Sequence, residues 1–468
     1  MFLEPTEVDP ASPSLFDPAT ARWWSRGDLR EAVERLGSRI HAARGGLTFL
    51  LCRNGAPTVA AYLAAVESGC AVLLLDARMP PAALGLLLER YQPELVAGPG
   101  DLEPVAGHRL DGPHEAVSLW WREGEPGPPT HPDLAVLLGT SGSTGSPKLV
   151  RLSRRNLEAN ADSIVACLGI DRQERATASL PLSYSYGLSV LNSHLRAGAS
   201  VVLTEETVIS PRFWSLVRDQ ACTSMPGVPY TYDLLTRIGF ERISVPSLRT
   251  LTQAGGRLAP ERVAHFHAEM ERRGGSFFVM YGQTEATARI TCLPPGRLAE
   301  KRGSVGNAIP GGRLHVETGA GDAGWPLRGG EVIYEGPNVM MGYAESRVDL
   351  SRGDELGGVL RTGDLGYLDA EGFLYLTGRS KRIGKVMGVR VNLDDVEALV
   401  RRCGPAAVVA GDDGLEVFCE FGDAAAFAEL AGQLAHDLRA TPESFHFHRV
   451  ARLPFTSSGK VDYPRLLP

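Results

Sequence analysis

Residues 137–148 read Leu-Leu-Gly-Thr-Ser-Gly-Ser-Thr-Gly-Ser-Pro-Lys, the end of an apolar strand running into a loop of glycines and hydroxyls. Glycines let the backbone approach a ligand closely, and successive N–H groups form a concave nest for an anion. The chemistry on offer is the holding of phosphate by Thr140, Ser141, Gly142, Ser143, Thr144 and Gly145, with Lys148 as a cation at the loop's end. It is not the Walker A loop, which needs Gly-Lys-[Ser/Thr]; here Lys148 follows Pro147 and precedes Leu149. A plain Ser/Gly linker would not join an apolar strand to a helix beginning near Ser153. Of 48 basic residues only five are lysine, Lys148, Lys301, Lys381, Lys385 and Lys460, and four of these lie in or beside Gly-rich segments. Lysine differs from arginine where a compact point charge must meet a phosphate or carboxylate.

Further segments follow in order: Thr252-Gln-Ala-Gly-Gly256, Tyr281-Gly-Gln-Thr-Glu285, Arg361-Thr-Gly-Asp-Leu365, Gly378-Arg379 and Pro454-Phe-Thr-Ser-Ser-Gly-Lys460. Together with the loop at 139–148, this series resembles the adenylate-forming superfamily: acyl-CoA synthetases, carrier-protein adenylation domains and luciferases. The likeness covers about residues 20–468. It implies that Ala254, Gly255 and Gly256 form the adenine-contacting turn. In the segment carrying Gly282 and Gln283, Tyr281 packs on adenine, Thr284 reaches the α-phosphate and Glu285 helps hold Mg²⁺. Asp364 meets the ribose hydroxyls, Arg379 the ribose or phosphate. Lys460 lies between the acyl carboxylate and the α-phosphate. The resemblance also implies a small C-terminal domain that pivots at Lys381, bringing Lys385 and Gly388 to line a tunnel for the thiol. The catalytic set is then Lys460, Thr284 and Glu285, with ATP, Mg²⁺ and CoA or phosphopantetheine taking part.

The physical logic is coherent without the resemblance. Joining a carboxylate to the α-phosphorus of ATP brings two anions together, so the barrier is largely electrostatic. The site must neutralise the triphosphate, align the attack and stabilise charge on the equatorial oxygens. The nest, Lys148 and a Mg²⁺ held by Glu285 suit that task.

For the acid pocket, Pro181-Leu-Ser-Tyr-Ser-Tyr-Gly-Leu-Ser189 is the opening segment. Relatives that adenylate α-amino acids usually place Asp near the position of Gly187. A buried ammonium without that counter-charge is costly. Tyr184 stands where acyl-CoA synthetases often have His, so it fills a gating place; the alternative is that Tyr184 and Tyr186 are core aromatics. With Val228 and Gly256 the wall reads as apolar, favouring an aliphatic or aryl acid. His265 and His267 diverge on a helix. His446 and His448 share a strand face with no third metal ligand in sight. Arg151, Arg154 and Arg155 read as a solvated helix start.

These residues need a frame. From about Leu29 to Val202, amphipathic helices alternate with short apolar strands, and a second run continues to Met280, the pattern of parallel sheets flanked by helices. Residues 98–133, rich in Gly, Pro and charge, read as a connecting loop. The expected architecture is α/β: a large N-terminal ATP- and acid-binding domain of parallel sheets flanked by helices, residues 1–380, with a β-rich subdomain at about 303–378. A small mobile α+β C-terminal lid follows at 381–468.

Composition bounds the reading. The chain has 468 residues, 43% hydrophobic and 22% charged, with a net charge of −7. That is an ordinary globular balance, and the acidic mean argues against a nucleic-acid partner. Seven scattered cysteines without a C-x-x-C pair point to a reducing cytoplasm, and no segment reads as a leader or membrane span. The expectation is an ATP-dependent acid–thiol ligase acting on CoA or an acyl carrier protein in trans. A close alternative is a stand-alone adenylation enzyme loading an amino or hydroxy acid onto a carrier. A non-catalytic nucleotide-binding regulator is the third, against which Lys148, Glu285, Asp364, Arg379 and Lys460 argue together.

Overall fold

The computed structural model describes residues 8–101, 105–139, 148–317, 329–379, 382–386, 389–411, 414–438, 440–456 and 460–466. The chain divides into two compact units, Met1–Arg313 with Glu335–Leu360, and Leu314–Tyr334 with Arg361–Pro468. Among the described residues no helix is long and apolar enough to cross a membrane.

The first unit holds two large sheets. In one, Ser276–Tyr281, Thr250–Gln253, Ser224–Gly227, Arg175–Ala178, Ser200–Leu203 and Pro13–Asp17 lie side by side in parallel, with antiparallel strands at both edges. In the other, Leu134–Gly139, Ala71–Asp76, Leu47–Cys52 and Leu95–Pro99 form the parallel centre. Helices Ala56–Glu67 and Ser185–Arg196 are buried almost all round and share one core with side chains of both sheets, including Leu50, Leu74, Val201 and Leu203. A helix apolar on every face needs such a central position. Helix Arg26–Ile40 starts at a capping box in which Ser25 and Asp28 satisfy each other's backbone N–H groups. Asp28 is therefore the third helical residue, not the cap.

The expected connecting loop at 98–133 contains a hairpin, His108–His114 paired with Val117–Arg122 at the sheet's edge. Its tight turn is made by Glu115 and Ala116, both at positive φ (50° and 60°). Such turns usually announce themselves with Asn-Gly or Asp-Gly, and these residues hide it.

The second unit carries the sheet ordered Arg313–Glu317, Gly330–Glu335, Val359–Leu368, Leu374–Arg379. This β-rich part, expected with residues 1–380, groups here with the C-terminal residues, because strand Leu374–Arg379 touches helix Leu393–Val400. Beyond it, strands Ala406–Ala410, Leu415–Cys419 and Phe445–Arg449 pack with helices Leu393–Val400 and Ala424–Leu438 around Val396, Val408, Val417 and Leu434. His446 and His448 do share a face, where both hydrogen-bond Glu416, at 2.8 and 2.5 Å. Among the described residues no His, Cys, Asp and Glu cluster suited to a metal is found.

Candidate active site

The expected phosphate loop, Thr140 to Gly145, lies outside the described residues. Its two flanks are antiparallel neighbours: strand Leu134–Gly139 leads in, strand Leu149–Ser153 leads out, and Gly139 pairs with Leu149. Lys148 at the exit binds Glu345 (Nζ–Oε1 2.7 Å) and lies 5.9 Å from the ring centroid of Tyr343. The Tyr343 hydroxyl in turn donates to Glu285 Oε1 at 2.8 Å. Lys148 and Glu285, far apart in sequence, are thus linked through Tyr343, a residue the sequence did not single out. Burial, then the charge of Glu285, pushes the Tyr343 phenol up, so it stays a donor.

What holds residues 340–355 in place is Arg151, expected as part of a solvated helix start. Arg154 and Arg155 are indeed exposed, but Arg151 is fully buried on strand Leu149–Ser153. Its guanidinium pairs with Glu355 and donates to the carbonyls of Met341, Tyr343 and Gly353, all at 3.2 Å, and to that of Arg352. A buried charge persists only when so completely met.

Residues 281–289 form a tight turn at the end of strand Ser276–Tyr281. Gly282 is required there, since a β-carbon would lie 2.0 Å from the Ala288 carbonyl oxygen. Thr287 and Ala288 hold positive φ (54° and 96°), a strained conformation for residues with a β-carbon. Buried Asn338 repays it. Its amide donates to the carbonyls of Ala286 and Arg289, both at 2.8 Å, and its own carbonyl accepts from Thr287 Oγ1 at 2.6 Å. Thr284 Oγ1 lies 3.2 Å from Ser185 Oγ, which brings the turn against the segment carrying Tyr184. Tyr281 is buried, and its hydroxyl accepts from Gln283 Nε2 at 3.4 Å.

Around the expected acid pocket the two tyrosines part ways. Tyr186 is a core aromatic, its hydroxyl held by Thr252 Oγ1 at 2.8 Å and the Thr252 carbonyl at 2.9 Å. Tyr184 is half-buried, and its hydroxyl would lie 2.5 Å from a β-carbon at Gly255, beside Val228. Gly255, at φ +84°, is thus the glycine that adjoins Tyr184 and Val228; Gly256 sits against Pro229, and its carbonyl accepts from Gln253 Nε2 at 2.8 Å. Ala254 follows strand Thr250–Gln253 and is buried. Burial pushes the Tyr184 phenol up to about 12. At Gly187 a β-carbon would lie 2.2 Å from the Pro181 carbonyl oxygen, so no side chain fits there.

The wall is not wholly apolar. Arg289, passed over in the sequence, is 2% exposed, with its guanidinium carbon 4.0 Å from the Tyr186 ring centroid. Its other contacts are the Ala288 carbonyl at 3.3 Å and Met280 Sδ at 3.4 Å. Among the described residues it makes no ion pair.

Within the second unit, buried Asp364 pairs with Arg379 (2.8 Å) across strands Val359–Leu368 and Leu374–Arg379. Lys460 ends a loop closed by two hydrogen bonds, Thr456 N–H to the Lys460 carbonyl (2.8 Å) and Lys460 N–H to Thr456 Oγ1 (3.2 Å). Lys381 and Gly388 lie outside the described residues, and Lys385 stands in strand Ile383–Val386 opposite Arg390. On either side of position 381 the chain is anchored: Arg379 by Asp364, Arg382 by Asp394 (2.5 Å) and Glu397 (3.0 Å) and by lying 4.0 Å from the Tyr463 ring centroid.

The fold and the ordered segments define a class, nucleotide-handling α/β enzymes with a separate C-terminal unit. Residues 4–344 match the family model described as AMP-binding enzyme. The chain belongs to the AMP-binding enzyme family. It is 30% identical to a sulfoacetate–CoA ligase of Cupriavidus necator over 98% of this chain and 95% of the relative. It is 32% identical to a 2-succinylbenzoate–CoA ligase of Bacillus subtilis, over 60% of this chain and 56% of that one. Among solved structures, O-succinylbenzoate coenzyme A synthetase from Bacillus subtilis in complex with AMP shares the fold with TM-score 0.79 and 24% identity, covering 99% of this chain and 97% of that one.

Proposed function

We propose that this protein is an ATP-dependent acid–CoA ligase. A carboxylate oxygen attacks the α-phosphorus, the bond to pyrophosphate breaks, and the acyl-adenylate remains. A thiol then attacks the acyl carbon, the C–O bond to AMP breaks, and a thioester leaves with AMP. The observation that carries this reading is the linked set Lys148–Tyr343–Glu285 beside Thr284, on a chain of the AMP-binding family whose relatives are named as CoA ligases. Those names support CoA as acceptor; loading of a carrier protein gains nothing from them. The absence of room for a counter-charge at Gly187 disfavours an α-amino acid. The acids named for the relatives, sulfoacetate and 2-succinylbenzoate, each carry two acidic groups and set the panel to begin with.

Glu285 suits Mg²⁺: it is a half-buried hard oxygen donor with Oε1 fixed by Tyr343, and this metal is commonly held by one or two carboxylates together with substrate phosphates. When bound, the ion would neutralise phosphate charge. In this proposal Lys148 and residues 140–145 hold the β- and γ-phosphates, and residues 254–256 and Tyr281 hold adenine. Asp364 and Arg379 serve the ribose, and Lys460 draws carboxylate and α-phosphate together. Residues 1–380 act as the main body and 381–468 as the lid. A cytoplasmic setting accords with seven unpaired thiols. The test is ATP–pyrophosphate exchange over an acid panel, with Lys460→Ala alongside. Exchange should fall by about a hundredfold or more, as on loss of a transition-state donor. A near-normal rate in that variant would remove Lys460 from the mechanism.

A further inference from the structure

Resting on that proposed function, we propose that Arg289 reads a second anionic group on the acid substrate, a carboxylate or sulfonate remote from the carboxyl that is activated. The observation is a cation buried without an anion. Arg289 lines a small internal cavity together with Ser189, Ser193, His194, Thr252 and Glu174. The cavity measures about 20 Å³. A single water needs about 10–15 Å³ by the same measure, so a compact group can be seated. Among the described lining residues Arg289 is the one cationic side chain, because burial holds the His194 imidazole neutral while its Nδ1 donates to the Val190 carbonyl at 2.8 Å. Glu174, the acid on the same wall, is committed to Thr223 Oγ1 at 2.5 Å and Arg249 at 3.2 Å.

The groups that face Arg289 are Tyr186, Tyr184, Cys292 and Cys167, none of them a carboxylate. A ring face, one carbonyl and a thioether leave most of the guanidinium's donors without an oxyanion, and its planar fork matches a carboxylate or sulfonate two bonds at a time. The position also fits the task. Arg289 is the last residue of the turn that carries Thr284 and Glu285, so a substrate that placed one end near Thr284 would have the other within this wall. A site built to meet a charged group rejects the analogue that lacks it far more strongly than an apolar pocket rejects a missing methylene.

The test measures exchange for matched acids: succinate against butanoate, and sulfoacetate against 3,3-dimethylbutanoate. The protein should favour the anionic member of each pair in kcat/KM by about a hundredfold or more. Arg289→Met should reverse that order, losing the anionic acids while keeping or improving the neutral ones. Arg289→Lys, which keeps the charge but not the fork, should raise KM for succinate more than kcat changes and leave butanoate alone; it serves if the Met variant fails to fold. Butanoate used as well as succinate by the parent protein would overturn this assignment and leave the ligase standing. Equal losses for both members of a pair in Arg289→Lys would assign the residue to packing and overturn it too. Exchange with no acid at all would bring down the ligase, and this inference with it.

Discussion

At position 187 a β-carbon would meet the Pro181 carbonyl oxygen at 2.2 Å and that of Leu180 at 2.8 Å. In an open helix, glycine to alanine gains about 0.5–1 kcal/mol. Here Gly187→Ala should instead cost about 1–3 kcal/mol, as overpacking does, read as a lowered unfolding midpoint. Residue identities carried much of the candidate site: the segments around Lys148, Glu285, Asp364, Arg379 and Lys460 stand out by type and order. What they could not carry is burial. Gly187 looked like a missing charge, and the structure shows a missing volume. Arg151 and Arg289 are two of many arginines in the chain, and nothing local distinguishes a solvated guanidinium from one enclosed by carbonyls or by a tyrosine ring. Their partners lie up to some two hundred positions away, at Tyr343 and Glu355 for the first and at Tyr186 for the second.

The turn at 281–289 shows how an element can be strained and still firm. Thr287 and Ala288 occupy positive φ, and Asn338 binds carbonyls at both ends of the turn. Asn338→Ala would leave those carbonyls with fewer donors, a cost of about 1–3 kcal/mol. Because Thr284 and Glu285 ride on the same turn, pyrophosphate exchange should fall by about tenfold or more beyond any loss of folded protein. An unchanged rate per folded molecule would show that the turn holds itself. Strands and helices of the parallel core were legible because their apolar periodicity is strong: Ser200–Leu203, Pro211–Asp219 and Pro260–Arg272 end where the pattern ends. The hairpin at 108–122 was not, since Glu115 and Ala116 give no hint of positive φ. The brace at Asn338 was invisible for the same reason as Arg289: it is made by residues distant in sequence.

At the scale of the whole chain, alternation of strand and helix announced the α/β architecture and the separate C-terminal part. It could not show that residues 314–334 and 361–379 group with that part, because sheet membership is decided by pairing rather than by pattern. The proposed pivot is Lys381. Lys381→Pro should spare pyrophosphate exchange while suppressing CoA thioester formation by about tenfold or more, followed by intact-product mass. Equal loss of both steps would count against a hinge. The neighbours of that position have a wider meaning. Arg379 is fastened to one strand pair by Asp364, and Arg382 to the C-terminal core by Asp394, Glu397 and Tyr463. With both shoulders fastened, a torsional change can be confined to two peptide units and need not disturb either core. Substitutions at 380 and 381 therefore offer a dial for apportioning adenylate between release and onward transfer, set independently of how hard the protein is to melt.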